Sequence, residues 1–210
     1  AKSPEEQAMF AKAIEVGIQV RKLQQEGKEV PADLQKIFEM ADEPVYSMVR
    51  NLFGGRMKRA VTGAAPIAQE ILEFFYALGL LILEGWGLTE TAAPATLNTP
   101  EAFKFGTVGR AIPGMQIKVA HDGELVVRGP GVFRGYYKDP EASTEAFTQD
   151  FFFKTGDIGE VDPDGFVRIT DRKKNLIILS NGKKIAPQKL ENQFKRLPLI
   201  NNTLIIGDKK

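Results

Sequence analysis

Two short stretches of the chain carry residue types that could do chemistry on a flat, phosphorylated ligand. The first is Glu84-Gly85-Trp86-Gly87-Leu88-Thr89-Glu90-Thr91, which follows an apolar run. In open α/β sheets, ligands bind beyond the carboxyl ends of strands. Trp86 is the only tryptophan and has a glycine on each side, so its ring offers a surface for a base. Thr89 offers a hydroxyl to a phosphate, and Glu90 a hard oxygen to Mg²⁺, which takes one or two carboxylates plus phosphate oxygens. The plainer alternative is a buried indole and a Thr89 helix cap. The second stretch is Gly63-Ala64-Ala65-Pro66, placed between a strand and a helix. Residues this small let a flat group lie against the backbone, although a strand–helix turn needs them anyway.

Further along, Thr155-Gly156-Asp157 precedes a strand, where one carboxylate can accept both hydroxyls of a ribose or simply close a turn. Arg172 can fork onto ribose or phosphate oxygens, or stand as a solvated charge. Asn181-Gly182 reads as a hairpin turn, with Lys183 and Lys184 near enough to meet phosphates. Neither G-x-x-x-x-G-K-[ST] nor G-x-G-x-x-G occurs. A nucleotide site here must be built otherwise.

Composition removes several classes. With no cysteine, a disulfide scaffold, a thiolate zinc site and a cysteine nucleophile are excluded. His121 is the only histidine, which argues against a histidine metal cluster. A net charge of +1 supplies no global field for nucleic acid or an anionic bilayer. No apolar run approaches the ~20 residues needed to span a membrane. The start, Ala1-Lys2-Ser3-Pro4-Glu5-Glu6, lacks signal-peptide character, so the expected location is the cytoplasm.

The elements that must position these residues follow from periodicity. Ser3, Pro4 and Glu6 form a capping box, and Met9, Ala13, Val16, Val20 and Leu23 make one helical face ending near Gly27. Pro31 opens a second helix towards Met40, and Pro44 a third that ends near Gly54-Gly55. Arg59 to Thr62 is a strand, Ile67 to Ala77 a helix and Leu80 to Leu83 a buried strand. That order predicts a parallel α/β layer. Hairpins are expected around Ala120–Gly123, Asp162–Gly165 and Asn181-Gly182, flanked by Gln116–Val119, Glu124–Val127, Ile158–Val161, Phe166–Ile169 and Leu176–Leu179. Gln188 to Leu197 reads as a helix and Leu204 to Ile206 as a strand. The polar stretch Thr170 to Asn175 is the expected domain boundary.

Taken in order, Thr62-Gly63-Ala64-Ala65-Pro66, Gly85-Trp86-Gly87-Leu88-Thr89-Glu90, Gly123 to Gly129 running into Arg134-Gly135-Tyr136, Lys154-Thr155-Gly156-Asp157, Asp171-Arg172-Lys173-Lys174 and Asn181-Gly182-Lys183 form a series. This series resembles the adenylate-forming superfamily, over roughly residues 58 to 207. Within it, Glu84 to Thr91 and the lysine-rich 171–174 stretch look most like long-chain fatty acyl-CoA synthetases.

The resemblance implies an α/β fold: residues 1–172 as the C-terminal portion of the large AMP-binding domain, and 173–210 as a hinge and the start of a small α+β domain. It also implies a reaction in two steps. A fatty carboxylate attacks the α-phosphate of MgATP, and the CoA thiol then displaces AMP. By position, Ala64 and Ala65 would line adenine and the acyl carboxylate, with Gly63 and Pro66 in the same cofactor-binding loop, and Trp86, between Gly85 and Gly87, would stack on adenine. Thr89 would contact the α-phosphate, Glu90 ligate Mg²⁺ and Asp157 hold the ribose, with Arg172 beside it. Lys174 matches the hinge and Gly182 the glycine that lets pantetheine pass.

Three departures accompany the match. The family's triphosphate loop and its terminal catalytic lysine do not occur in these residues, so the 210 residues alone are expected to be inactive. Asp150-Phe151-Phe152 stands where relatives often carry an Asp-Gly-aromatic turn. The alternatives are an aryl- or amino-acid-activating relative and a non-catalytic nucleotide-binding module of the same fold. Expected partners are fatty acid, ATP and CoA, with no nucleic acid. A peripheral membrane contact and a homodimer are left open.

Overall fold

A computed structural model describes residues 3–179, 184–185, 187–194, 197 and 199–207. The chain divides into two compact units, one up to Leu83 and one from Glu84 onward.

The first unit is mainly helical. Helix α1 spans Pro4–Gln25, and its capping box forms as expected: Glu6 N–H donates to Ser3 Oγ (3.2 Å) and Ser3 N–H to Glu6 Oε2 (2.7 Å). The buried face is Ala13, Val16, Gly17 and Val20, narrower than the predicted stripe, because Met9 is exposed. A Cβ on Gly17 would lie 2.9 Å from the Ala77 Cβ, so hydrogen is the only side chain that fits there. Gly27 at φ +66° stops the helix.

Helix α2 is Ala32–Met40. The third helix differs from expectation. A π-helical turn, Asp42–Tyr46, contains Pro44 and leads into α3, Ser47–Leu52. Pro44 has no N–H to enter the ladder, and the N–H groups of Val45 and Tyr46 both turn to the Ala41 carbonyl. The wider turn buries Tyr46 fully, with its hydroxyl donating to Ala13 O (2.7 Å). Strand β1 is Arg59–Thr62, as predicted, and α4 is Gln69–Ala77. Strand β2, Leu81–Leu88, begins beside β1, with Leu81 N–H on Lys58 O (3.0 Å).

β2 corrects the sequence reading most. The expected strand was to end at Leu83 and give way to a glycine loop, yet it continues through Gly85-Trp86-Gly87. Those glycines admit a neighbouring strand. β3, Ala93–Leu97, pairs antiparallel with the end of β2, with a register shift between Trp86 and Gly87. A Cβ on Gly87 would sit 2.3 Å from Ala93 O, and one on Gly85 2.9 Å from Leu97 Cδ1.

β4, Arg110–Ala111, extends this pairing. Four more strands form an antiparallel meander: β5 Gln116–Val119, β6 Glu124–Arg128, β7 Phe153–Val161 and β8 Val167–Arg172. Both predicted hairpins are present, and β7 starts five residues before the expected Ile158. Helix α5, Pro140–Glu145, interrupts the meander with Asp139 as its cap. Trp86, Ala95, Met115, Leu125, Val127, Phe153 and Val167 make the core of this second unit.

β9, Ile177–Ile178, pairs with β10, Lys184–Ile185, and α6 covers Pro187–Phe194. The expected Asn181-Gly182 turn lies outside the described residues, and Gly182 with it. Leu204 to Ile206 is not a strand among the described residues. Ile205 N–H is taken by the Glu191 side chain (2.9 Å) and not by a strand partner.

Candidate functional site

The site is organised around one buried carboxylate. Asp157 on β7 and Arg172 on β8 are direct register partners, so their side chains leave the sheet on one face. Arg172 Nε lies 2.7 Å from Asp157 Oδ1. Trp86, 71 positions upstream, donates its indole N–H to Asp157 Oδ2 (2.7 Å). Asp157 is 3% exposed, while the Arg172 side chain is 48% exposed, so the charge of the buried carboxylate is balanced by a group that reaches water. Burial pushes the Asp157 carboxyl above its usual range, and the Trp86 donor and Arg172 charge oppose that push.

The backbone that presents Asp157 is pinned on both sides. Thr155 Oγ1 donates to Leu125 O (2.6 Å) and accepts from Asp157 N–H (3.1 Å). Gly156 takes φ +71°, a conformation that favours glycine, and its N–H donates to Glu124 Oε1 (2.8 Å). Lys173 Nζ meets both Glu124 Oε2 and Asp122 Oδ2 at 2.7 Å, which raises its pKa. Sequence reasoning missed Asp122, Glu124 and Lys173 as a group. The Asp171-Arg172-Lys173-Lys174 motif marked the lysine, but nothing in the sequence marked its partners.

Each oxygen of an ionised carboxylate has two lone pairs. With the indole N–H on one oxygen and the guanidinium paired in charge with the other, Asp157 keeps acceptor capacity for further donors, such as those of a vicinal diol. Trp86 is 9% exposed and belongs to the core, so the plainer sequence alternative of a buried indole describes its packing. Its N–H edge makes the polar contact.

A second hydrogen-bonded group lies at the end of β2. Thr89–Thr91 form one 3-10 turn, with Thr89 exposed, Glu90 half-buried and Thr91 buried. Thr91 is the anchor that the sequence did not show. Its Oγ1 accepts from Leu88 N–H (2.8 Å) and lies 2.8 Å from Ala93 O. Glu90 O accepts from Phe133 N–H (2.8 Å), and Glu90 Oε1 from the Tyr136 hydroxyl (3.1 Å).

Glu84, on the same face of β2 as Trp86, is a third feature absent from the sequence reading. Its Oε2 is buried without a partner, and burial pushes its pKa up to about 7, against a Gly106 N–H that lowers it.

The remaining predicted residues fall elsewhere. Gly63, Ala64, Ala65 and Pro66 form an exposed loop of the first unit between β1 and α4, with Ala64 at φ +66°. Lys174 is exposed in a 3-10 turn, Lys173–Asn175, that follows β8. No group of three or more His, Cys, Asp or Glu able to hold a metal occurs among the described residues. Glu90, with one oxygen not hydrogen-bonded to Tyr136, fits a Mg²⁺ ion that arrives on nucleotide phosphates and needs one protein carboxylate. No helix among the described residues is long and apolar enough to cross a membrane.

The model of the AMP-binding enzyme family matches residues 24–137. Among curated relatives, a long-chain-fatty-acid–CoA ligase of Mycobacterium bovis, FadD15, is 46% identical over 169 residues, 80% of this chain and 28% of its own length. Human long-chain-fatty-acid–CoA ligase 6 is 38% identical over 179 residues, 80% of this chain and 26% of its own length. The chain thus spans little more than a quarter of the length of these relatives. Among solved structures, ATP-bound MatB from Rhodopseudomonas palustris aligns with a TM-score of 0.68 at 32% identity, covering 75% of this chain and 33% of its own. The O-succinylbenzoate coenzyme A synthetase of Bacillus subtilis in complex with AMP aligns at 0.66 and 25% identity, covering 87% and 42%. On the match of its sequence to the family model, the chain belongs to the AMP-binding enzyme family.

Proposed function

We propose that the protein carrying this chain is a cytoplasmic AMP-forming ligase that activates a long-chain fatty acid with ATP and passes the acyl group to CoA. The observation that carries this reading is the convergence of Trp86 and Arg172 on the buried Asp157. A buried carboxylate oriented by an indole donor and paired with a guanidinium is a rigid acceptor for the two ribose hydroxyls of an adenylate. The names of the curated relatives supply the substrate class.

In this reading Trp86 places the adenosine pocket, with Gly85 and Gly87 letting β3 close behind it. Thr89 and Arg172 bind phosphate oxygens. Glu90 holds Mg²⁺, whose chemistry is to neutralise phosphate charge during attack on the α-phosphate. Residues 1–172 belong to the large domain. Lys174 is the pivot after it, and Gly182, outside the described residues, sits on the CoA path. Lys173 ties the residue before the pivot to Asp122 and Glu124, leaving rotation to Lys174.

The test is substrate-dependent pyrophosphate exchange by the intact protein. Exchange with hexadecanoate and none with benzoate or free amino acids is expected. The opposite preference assigns an aryl- or amino-acid-activating enzyme, and no exchange with any acid leaves a binding module. Lys174→Pro should spare exchange and block thioester formation, since proline fixes φ at the pivot. Equal survival of both half-reactions removes the hinge assignment.

A further inference from the structure

The motif Arg134-Gly135-Tyr136 has no part in the proposed roles, and the segment that ends in it, Gly131 to Tyr136, lies against the Thr89–Glu90–Thr91 turn at three points. A Cβ on Gly131 would come 2.8 Å from Thr91 O, so the backbones touch there. Phe133 N–H donates to Glu90 O (2.8 Å). The Tyr136 hydroxyl donates to Glu90 Oε1 (3.1 Å). The tyrosine is itself fixed: its N–H donates to Ser143 Oγ (2.8 Å), Ser143 sits on the capped helix α5, and its ring packs edge-on against Phe133 (4.8 Å).

We propose that Tyr136 is a positioning residue for Glu90, holding one carboxylate oxygen so that the other faces the metal–phosphate group of a bound nucleotide. The inference rests on the proposed metal role of Glu90 and deepens it. A glutamate on a surface turn has three rotatable side-chain bonds, and fixing them in advance lowers the entropy lost when the ion binds. One oxygen anchored by a hydroxyl leaves a monodentate ligand, which suits an ion that keeps most of its shell on phosphates and water.

The test measures binding of a non-hydrolysable ATP analogue to the intact protein by calorimetry, once with excess Mg²⁺ and once with excess EDTA. Tyr136→Phe keeps the ring on Phe133 and removes only the hydroxyl. It should weaken binding with Mg²⁺ by about three- to tenfold, the net worth of one ordinary hydrogen bond, with the EDTA value and the melting temperature unchanged. Glu90→Gln should weaken the Mg²⁺ value at least as much, and the double variant no more than Glu90→Gln alone. If Glu90→Gln shifts Mg²⁺-dependent binding and Tyr136→Phe does not, the positioning role is overturned. If neither moves it, the metal role of Glu90 falls as well. A Tyr136→Phe loss that is equal with Mg²⁺ and with EDTA assigns a structural role and also overturns the proposal.

Discussion

Two glycine-bearing segments follow strands in this chain, and they use small residues for opposite ends. At Gly85-Trp86-Gly87 the space beside the backbone is filled by protein: Ala93 O and Leu97 Cδ1 stand where side chains would begin. At Gly63-Ala64-Ala65-Pro66 the loop is exposed, and Ala64 sits at φ +66°. The first segment gives rigidity to a buried indole that orients a carboxylate. The second leaves backbone groups open and tolerates strain in doing so. A small residue beside a strand end is therefore not by itself a mark of ligand approach; what fills the vacated space decides.

The largest effect that separates the two belongs to Gly87→Ala. Its new methyl would have to displace the β3 backbone, at a cost of about 3 kcal/mol in urea unfolding. A loss below about 1 kcal/mol would mean that the strands part easily and that Gly87 serves something else.

Next comes Glu84, one step from Gly85 on the same strand. Its folded pKa near 7 lies above the unfolded value of 4.5, so the folded state holds the proton more tightly. Stability is therefore greatest below about pH 4.5, falls as pH rises towards 7, and levels off above it. Glu84→Gln should remove that fall, gaining about 1–3 kcal/mol at pH 8 relative to pH 4. Parallel pH profiles for the two proteins would place the carboxylate in water.

The smallest effect is on the open segment. Ala64→Gly relieves a left-handed alanine and should stabilise by about 0.5–1 kcal/mol. Phe151→Gly should give the same gain, because Phe151 holds φ +62° with its ring 76% exposed. A loss of stability in either variant would mean that the left-handed conformation carries no strain there.

Local features were legible in the sequence where local physics settles them. The Ser3–Glu6 capping box, β1 and the two hairpins depend on residues a few positions apart. Phe151 was legible as an anomaly, since a non-glycine residue stands where the resemblance calls for glycine, and it does adopt the left-handed conformation. Features set by distant partners were not legible. The extension of β2 depends on β3 crossing its glycines, and the π-turn around Pro44 on the burial of Tyr46 against α1. Lys173 with Asp122 and Glu124, and Tyr136 with Glu90, pair across 46 to 51 positions. Periodicity carries no information at that range. The Trp86–Asp157 bond, 71 positions apart, was not legible either: the resemblance assigns the two residues to one nucleotide, the indole to adenine and the carboxylate to ribose, and not to each other.

The account stands on Asp157 as the ribose acceptor. Its most direct test is the dissociation constant of ATP for the intact protein and its Asp157→Ala variant, at matched melting temperature. Loss of the charged acceptor predicts weakening of roughly 1.5–3 kcal/mol, or about 10- to 150-fold, the scale of a hydrogen bond to a charged group. An unchanged constant in a folded variant would contradict it, and Trp86, Asp157 and Arg172 would then be a buried structural pair with its counter-ion.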